Sequence, residues 1–262
     1  MVVTFYQQDI IWGDPEANRR RVAAALASAP KSDLFMVPET FTTGFGDHMA
    51  ALAEEQEGPT LQWARAAAKQ YDLLFVGTWI VREGDQCYNR LHWIYPDGTF
   101  GHYDKAHTFR VSGEYDIISR GTQRAVFEYK GWRIKPAVCY DLRFPKWLRN
   151  SELRNSELRT PHSELDYDLL LVCANWPGSR HEAWTTLLKA RAIENISYVI
   201  GCNRCGKDGV GGNYTGSSAL IDYKGFPLAE AEPESDQLVT VILDKEKLDT
   251  FREHWPLYLD FD

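Results

Sequence analysis

The chain has 262 residues, 44% of them hydrophobic, and is long enough to bury a sizeable core without disulfide or metal staples. Its net charge of −8 argues against nucleic-acid binding, and no run approaches the roughly 18 apolar residues that span a bilayer. The opening residues, MVVTFYQQDIIW, read as a strand rather than a secretion signal, so we expect a cytoplasmic protein without nucleic-acid or membrane partners.

Strand-like and helix-like segments follow one another along the chain. Helical spacing of apolar residues predicts three helices, at 15–29, 58–72 and 181–196. The first has Pro15 near its start, and the second has Thr60 as a possible cap. Apolar or alternating runs predict strands in 1–8, 33–40, 73–98, 125–141, 168–176, 197–204, 218–231 and 237–244. Of these, 73–98 is predicted to be strand-turn-strand, and 125–141 a hairpin that turns at Lys130–Gly131. This order predicts a layered α/β protein with mixed sheets. No long linker divides it, so we expect one domain over 1–262.

One segment departs from these patterns. NSELRNSELR, Asn150 to Arg159, is a tandem five-residue repeat, and SEL returns at Ser163 to Leu165. A period of five fits neither a helix nor a strand. We interpret about 150–164 as a surface-loop insertion, because loops tolerate added length; a binding loop or lid is the alternative.

The five cysteines do not form a disulfide framework in a chain this long. Cys202 and Cys205 form a CxxC, but no second ligand pair completes a zinc site, and the motif leaves a strand rather than opening a helix. We therefore predict no metal, with a redox or metal role as the minor alternative.

Three reactive residues follow predicted strands. Glu39 comes after the run LFMVP, Lys105 after GHYD, and Cys139 after KPAV. Strand ends are where sites gather in α/β sheets, so these side chains can converge. A cysteine nucleophile needs a base and a stabiliser for the oxyanion. Glu39 or the histidines His102 and His107 could be the base. Taken singly, Cys139 could be a core residue and Lys105 a surface charge.

Their flanking residues carry a resemblance to a known family. VPETFTTGF, HYDKAHTF and VCYDLRFP, with intervals of 66 and 34 residues between the three reactive positions, resemble the motifs of the nitrilase superfamily of carbon–nitrogen hydrolases. The likeness continues through CANWP, KARAIENISYVIGCNR and YTGSSALID. Within the superfamily the pattern is most similar to bacterial ω-amidases, which hydrolyse the side-chain amide of 2-oxo acids.

The resemblance implies a fold and a mechanism. The fold is a four-layer α-β-β-α sandwich. Cys139 is expected to be the nucleophile and Glu39 the general base, while Lys105 and the backbone N–H of Tyr140 stabilise the oxyanion. Glu114 falls where the family has a second glutamate that orients the lysine or the substrate. No cofactor or metal is expected.

The substrate pocket is less defined by the sequence. Arg143 could bind a substrate carboxylate, or it could form a structural ion pair with Asp141 or another acid. Four aromatic residues could line the pocket or belong to the core: Phe41, Phe45, Phe109 and Trp176. Asn175 follows a strand and is expected beside Cys139. The resemblance implies that the binding partner is a small-molecule amide substrate.

Two further segments receive structural interpretations. In KARAIEN, Arg191, Glu194 and Asn195 could be catalytic by residue type, but the resemblance makes them structural and places them near the contact of a homodimer. The glycine-rich stretch GKDGVGGNYTG lacks the GK[ST] ending of a phosphate-binding loop and is interpreted as a turn.

Three functions remain open at this point. The first is an ω-amidase with a Glu-Lys-Cys triad. The second keeps the triad with an N-carbamoyl amino acid, a nitrile or a deaminated peptide amide as substrate. The third is a non-catalytic binding protein with a relic site.

Overall fold

The computed structural model describes residues 1–151 and 165–261. Helices in this part of the chain have the following bounds: α1 Pro15–Ser28, α2 Pro59–Tyr71, α3 Glu114–Ile117, α4 Pro145–Leu148, α5 His181–Asn195 and α6 Lys245–His254. One-turn 3-10 helices lie at Asp47–Ala50, Arg110–Ser112, Cys139–Arg143, Gly178–Arg180 and Leu257–Asp260.

The strands form two large sheets and one hairpin. Their bounds are β1 Val2–Gln7, β2 Leu34–Met36, β3 Glu54–Glu55, β4 Leu74–Glu83, β5 Gln86–Ile94, β6 Phe100–Asp104, β7 Phe127–Tyr129, β8 Trp132–Val138, β9 Leu169–Ala174, β10 Tyr198–Asn203, β11 Cys205–Lys207, β12 Asn213–Thr215, β13 Ala219–Ile221, β14 Pro227–Glu230 and β15 Gln237–Ile242. The first sheet has the order β15-β1-β2-β4-β5-β6, with β3 also paired to β4. The second has the order β14-β13-β10-β9-β8-β7, and β11 pairs with β12 alone.

The two large sheets pack face to face, with helices on both outer faces. Strand β9 shows the arrangement, because Leu169 and Leu171 face the core between the sheets, whereas Leu170 and Val172 face α5. This alternation is the period of two expected for a strand buried on both faces. Helices α1 and α2 cover the other sheet. The four layers and mixed pairing confirm the predicted sandwich.

Several local predictions can be compared with the structure. The hairpin β7–β8 turns at Lys130 and Gly131, both with positive φ, which confirms that prediction. The proposed cap at Thr60 is wrong. Thr60 lies inside the first turn of α2, and its backbone N–H donates to the Glu54 carboxylate at 2.7 Å.

Most of the predicted insertion, from 152 to 164, lies outside the described residues. Its first residue, Asn150, is fully buried. The Asn150 side chain donates to the carbonyls of Tyr167 and Asn195, both at 2.9 Å. The repeat therefore begins at a buried anchor rather than at an exposed residue.

Candidate active site

Four strand ends bring polar residues to one cavity. Lys105 follows β6, Cys139 follows β8 and Asn175 follows β9, and all three line a cavity of about 440 Å³. Glu39, two residues beyond the Val37 that follows β2, is fully buried and contacts Lys105. The structure thus brings together the three reactive residues predicted from the sequence.

Lys105 is held between two buried carboxylates. Its Nζ lies 2.8 Å from Glu39 Oε1 and 2.8 and 2.9 Å from the two oxygens of Glu114. Asn89, in the middle of β5, donates to Glu39 at 2.8 Å and to Glu114 at 3.3 Å. The ring of Phe45 lies 5.1 Å from the same Nζ. The ammonium group therefore has a fixed position at the cavity wall.

The two oxygens of Glu39 have different partners. Oε1 accepts hydrogen bonds from Lys105 and Asn89, whereas Oε2 accepts one from the backbone N–H of Asn175 at 2.8 Å. The Asn175 side chain also donates to the Glu39 carbonyl, and to Thr40 Oγ1 at 2.9 Å. These bonds fix the carboxylate so that it can bond the Cys139 thiol.

Electrostatics in this cluster keep the thiol and the lysine protonated. Burial, together with the charge of Glu39, raises the pKa of Cys139 well above its ordinary value, and Lys105 offsets this only in part. Burial lowers the pKa of Lys105, but Glu114 and Glu39 outweigh burial and the net pKa is raised. Burial also raises the pKa of Glu114. Cys139 is therefore a protonated thiol at rest, and it would need a base to act as a nucleophile.

Cys139 occupies a strained turn. Its φ of 44° lies in the left-handed region, which a residue with a side chain seldom adopts. Asp141 stabilises the turn, because its carboxylate accepts the Val138 backbone N–H at 3.0 Å and the Tyr103 hydroxyl at 2.8 Å. The same carboxylate accepts the His107 backbone N–H at 3.0 Å. The thiol is thus carried on a braced loop at the end of β8.

The two histidines considered as bases do not reach the cavity. His107 places Nδ1 2.7 Å from Asp141 and stacks on Phe144 with ring centres 3.7 Å apart. His102 is exposed on β6, opposite His92. Neither lines the cavity, so the alternative in which a histidine is the base is wrong.

Most residues expected to bind substrate do line the cavity. They are Phe45, Phe109, Tyr140, Arg143, Asn175 and Trp176. Phe41 is the exception and the prediction for it is wrong. Its ring is fully buried and packs against Trp63, Phe75 and Trp79 in the core beneath α2. The positive φ of Thr40 redirects the chain between Glu39 and Phe41.

Arg143 is available to a ligand. Its guanidinium carbon lies 5.0 Å from the Trp176 ring centre, a cation–π contact. Asp141 does not pair with it, because that carboxylate is occupied by Val138, Tyr103 and His107. No carboxylate in 1–151 or 165–261 forms an ion pair with Arg143. The proposed ion pair with Asp141 is therefore wrong, and no other acid of these described ranges takes its place.

Sequence reasoning missed several residues of the site. Asn89 bridges the two glutamates, and its only sequence signal is a polar side chain inside a strand pattern. Trp12 lines the cavity from the loop after β1, and His48 from the 3-10 helix Asp47–Ala50, with their ring centres 4.1 Å apart. Arg180 lines the cavity from the turn before α5.

The two segments that the sequence analysis interprets as structural, KARAIEN and the glycine-rich stretch, do not belong to the group formed by Glu39, Lys105 and Cys139. Arg191 donates to the Leu142 carbonyl at 3.1 and 2.8 Å and pairs with Glu194 at 2.7 Å, while Asn195 donates to the Arg191 carbonyl. These bonds tie α5 to the loop after Cys139. The glycine-rich stretch is the turn between β11 and β12, as predicted.

The CxxC cysteines are buried free thiols. Cys202 Sγ lies 3.4 Å from the Tyr6 carbonyl, and Cys205 Sγ lies 3.7 Å from the Gln7 carbonyl. Residues 1–151 and 165–261 contain no group of three or more His, Cys, Asp or Glu placed to hold a metal ion. No helix in these ranges is long and apolar enough to cross a membrane.

Comparison with known proteins gives a consistent result. The sequence model of the carbon-nitrogen hydrolase family matches residues 2–253. The chain is similar to omega-amidase YafV of Yersinia enterocolitica, with 41% identity over 99% of this chain and 96% of the relative. It is 30% identical to the 2-oxoglutaramate amidase of Bacillus subtilis, over 98% of this chain and 96% of that protein. The crystal structure of XC1258 from Xanthomonas campestris, a CN-hydrolase superfamily protein with an arsenic adduct in its active site, superimposes with a TM-score of 0.95 at 41% identity, covering 100% of this chain and 97% of that one.

Proposed function

Because the chain belongs to the carbon-nitrogen hydrolase family, we propose that it is an ω-amidase acting on 2-oxo acid amides such as 2-oxoglutaramate and 2-oxosuccinamate. One observation of the site carries the proposal. The cavity that holds Cys139 beside the Glu39–Lys105 pair also presents Arg143, a cation without an ion-pair partner in the described parts of the chain. An amide with a carboxylate at its far end matches both features.

The first half-reaction forms an acyl-enzyme. Glu39 takes the thiol proton as Cys139 Sγ attacks the amide carbon, so a C–S bond forms and the carbonyl oxygen becomes negative. Lys105 Nζ and the Tyr140 backbone N–H stabilise that oxygen. The N–H belongs to the first turn of a 3-10 helix, where backbone donors have no acceptor within the helix. Both interactions strengthen as charge develops, which lowers the barrier.

Collapse of this intermediate releases ammonia. Glu39 returns its proton to the amide nitrogen, the C–N bond breaks and a thioester remains on Cys139. Glu39 then deprotonates a water molecule, which attacks the thioester. The C–S bond breaks, Glu39 returns the proton to the sulfur, and the new carboxylic acid loses its own proton to solvent, so that the product leaves as a dicarboxylate. Each proton passes through one carboxylate, which accounts for the fixed position of Glu39.

Glu114 and Asn89 keep this machinery in place. Glu114 accepts two bonds from Lys105 and one from the Phe109 backbone N–H at 2.6 Å. We propose that it orients the lysine rather than exchanging protons, because it bonds Lys105, Asn89 and the Phe109 backbone, whereas the thiol of Cys139 interacts with Glu39. Asn89 donates to both glutamates and so keeps two like charges at a fixed separation.

A substrate panel assayed for ammonia release tests the proposal. We expect 2-oxoglutaramate and 2-oxosuccinamate to be hydrolysed far faster than glutamine, an uncharged aliphatic amide, a nitrile or an N-carbamoyl amino acid. Faster turnover of an N-carbamoyl amino acid or a nitrile would overturn the substrate and leave the triad standing. No turnover of any substrate, with an unreactive thiol, would support the binding-protein alternative.

The proposal includes an assembly and a location. We propose that residues 1–262 act as one domain, in the cytoplasm, as a homodimer that packs through α5. Ile193 on this helix and Phe226 nearby are exposed by 54% and 64%, so apolar surface is available for such a contact. Light scattering that gave only a monomer mass at micromolar concentration would reject the dimer.

A further inference from the structure

A second arginine lines the cavity that holds Cys139. Arg180 ends the 3-10 helix Gly178–Arg180, directly before α5. Its guanidinium carbon lies 5.1 Å from the Phe109 ring centre. Over residues 1–151 and 165–261, no hydrogen bond or ion pair satisfies the guanidinium groups of Arg180 and Arg143. Two such cations on one cavity repel each other until an anion lies between them.

Trp176 connects the two arginines. Its ring face carries the Arg143 guanidinium at 5.0 Å, and its indole N–H donates to the Arg180 backbone carbonyl at 2.8 Å. The tryptophan is 97% buried, since its exposed fraction is only 3%. One rigid side chain therefore sets the position of the first guanidinium and of the backbone that carries the second.

The carboxylates of the cavity do not neutralise these cations. Asp208 accepts the backbone N–H groups of Val210 and Gly212 at 3.0 and 2.6 Å and the Tyr214 hydroxyl at 3.2 Å. Asp47 lines the cavity but forms no ion pair with either arginine in the described ranges. The complementary negative charge has to come from the ligand.

We infer that Arg180 is a second substrate-binding cation, and that Arg180 and Arg143 together select the carboxylate and adjacent oxo oxygen of the substrate. This inference rests on the proposed ω-amidase function and deepens it. A 2-oxo acid end presents three oxygens that only accept hydrogen bonds, while two guanidinium groups present only donors. An α-amino acid replaces one acceptor by an ammonium group, which meets two cations instead of one. Arg180 therefore strengthens discrimination against glutamine.

The test compares three substrates of equal chain length. They are 2-oxoglutaramate, glutamine and the neutral pentanamide, each assayed with wild type, Arg180→Gln and Arg180→Lys. For Arg180→Gln we expect kcat/KM on 2-oxoglutaramate to fall about 10- to 100-fold, mainly through KM, as for a lost charge-assisted hydrogen bond. Pentanamide should stay within about twofold, and the preference over glutamine should shrink. Arg180→Lys should fall between, because lysine keeps the charge without the planar fork.

A control and a coupled variant sharpen the result. Arg20, exposed on α1 and paired with Glu16, provides the matched control, and Arg20→Gln should change none of the three rates. If both arginines bind one carboxylate, the fold-decrease in kcat/KM on 2-oxoglutaramate in the double variant Arg180→Gln/Arg143→Lys should be smaller than the product of the two single fold-decreases. Strict multiplication of the two effects would place them on separate groups and overturn the shared role.

The outcomes separate this inference from the proposed function. If wild type does not hydrolyse 2-oxoglutaramate, the proposed function fails. If wild type does, but Arg180→Gln leaves all three substrates unchanged or lowers them equally, only the role of Arg180 fails. Calorimetric binding of 2-oxoglutaramate to Cys139→Ala, with and without Arg180→Gln, measures the same contribution without turnover. Equal affinity of the two proteins would overturn the inference.

Discussion

Two buried charge clusters in this molecule are built in opposite ways. The Glu39 cluster contains Glu39, Glu114 and Lys105, two carboxylates around one cation. The Asp168 cluster contains one carboxylate at 2.7 Å from Arg133, 2.6 Å from Arg252 and 3.1 Å from Lys245. The carboxylates of both clusters and Lys105 are buried, whereas the Lys245 side chain is 32% exposed. The two clusters differ in the sign of the excess charge and in what surrounds them.

The Asp168 cluster holds the fold together. Burial raises the pKa of Asp168, but the hydrogen bonds and charges of Arg133 and Arg252 outweigh burial, so the net pKa is lowered. Arg252 also donates to the carbonyls of Tyr167 and Ile196, which ties α6 to the start of β9 and the end of α5. None of its members lines the cavity.

The Glu39 cluster is arranged for reaction instead. It leaves an acid with a raised pKa, Glu114, and a thiol with a raised pKa, Cys139, beside a cavity. Such perturbed groups in a cleft are typical of catalytic sites. A buried charge cluster therefore does not by itself identify a functional site. The cluster is identified as functional by its excess of acids over bases and by its contact with a cavity.

The largest expected effect is the removal of the nucleophile. Cys139→Ala should lower kcat by at least about 10⁴-fold, as for loss of a catalytic nucleophile, because no other thiol lines the cavity in the described residues. Circular dichroism and the unfolding midpoint should stay close to wild type. Cys205→Ala, which removes a buried thiol away from the cavity, is the control and should retain kcat per folded molecule. Substantial turnover by folded Cys139→Ala would reject the mechanism.

The next effect separates the two clusters by activity. Glu39→Gln and Lys105→Met should each lower kcat by about 100-fold or more, since they remove the proposed base and the proposed cation of the oxyanion site. Asp168→Asn should leave kcat per folded molecule unchanged. Single-turnover rates at saturating substrate check both expectations. A few-fold change in either Glu39→Gln or Lys105→Met would mean that its role is misassigned.

For stability the order of the effects should be reversed, with a larger loss in Asp168→Asn than in Glu39→Gln. Asp168→Asn leaves Arg252 buried without its carboxylate, so we expect the free energy of unfolding to fall by about 3–5 kcal/mol. Glu39→Gln leaves Lys105 paired with Glu114 and should change it by no more than about 1 kcal/mol. Urea titrations measure both values. A larger loss in Glu39→Gln than in Asp168→Asn would break the distinction between the clusters.

The sequence predicted the parts of the site that follow strands. Glu39, Lys105 and Cys139 each end an apolar run, and their flanking motifs carry a family resemblance, so both the residues and the four-layer fold could be anticipated. Asn89 could not, because a polar residue inside a strand does not reveal its partners: the period of two places Asn89 on the same face as the core residues Leu91 and Trp93, and only the fold brings the two glutamates to it. Phe41 was misplaced because a left-handed residue, Thr40, decides its direction.

The other residues of the cavity that the sequence did not predict lie on segments that are distant from one another in the chain. Trp12, His48 and Arg180 reach the cavity from segments with no motif of their own. Residue type and spacing carry no information about such convergence, since the loop conformation depends on the packed sheets beneath it. The same holds for Thr60, whose expected capping role is taken by the carboxylate of Glu54.

The smallest expected effect is the pH dependence of stability, which should have opposite signs in the two clusters. The folded pKa of Asp168 lies below its ordinary value of 3.8, so its stabilisation is present above that pH and is lost as pH falls through the folded pKa. The folded pKa of Glu114 lies above its ordinary value of 4.5, so ionisation of Glu114 costs stability, and that cost is relieved as pH falls through the raised pKa.

Denaturant titrations of wild type, Asp168→Asn and Glu114→Gln from about pH 7 to about pH 3 test the two signs. The deficit of Asp168→Asn relative to wild type should begin to shrink as the pH falls below 3.8, because the unfolded wild-type chain then takes up a proton on Asp168 that the folded chain resists. Wild type should instead gain stability relative to Glu114→Gln on acidification, because only the wild-type side chain can take up the proton. If the deficit of Glu114→Gln shrinks on acidification as that of Asp168→Asn does, the two clusters are electrostatically alike and the contrast between a stabilising and a reactive charge cluster is wrong.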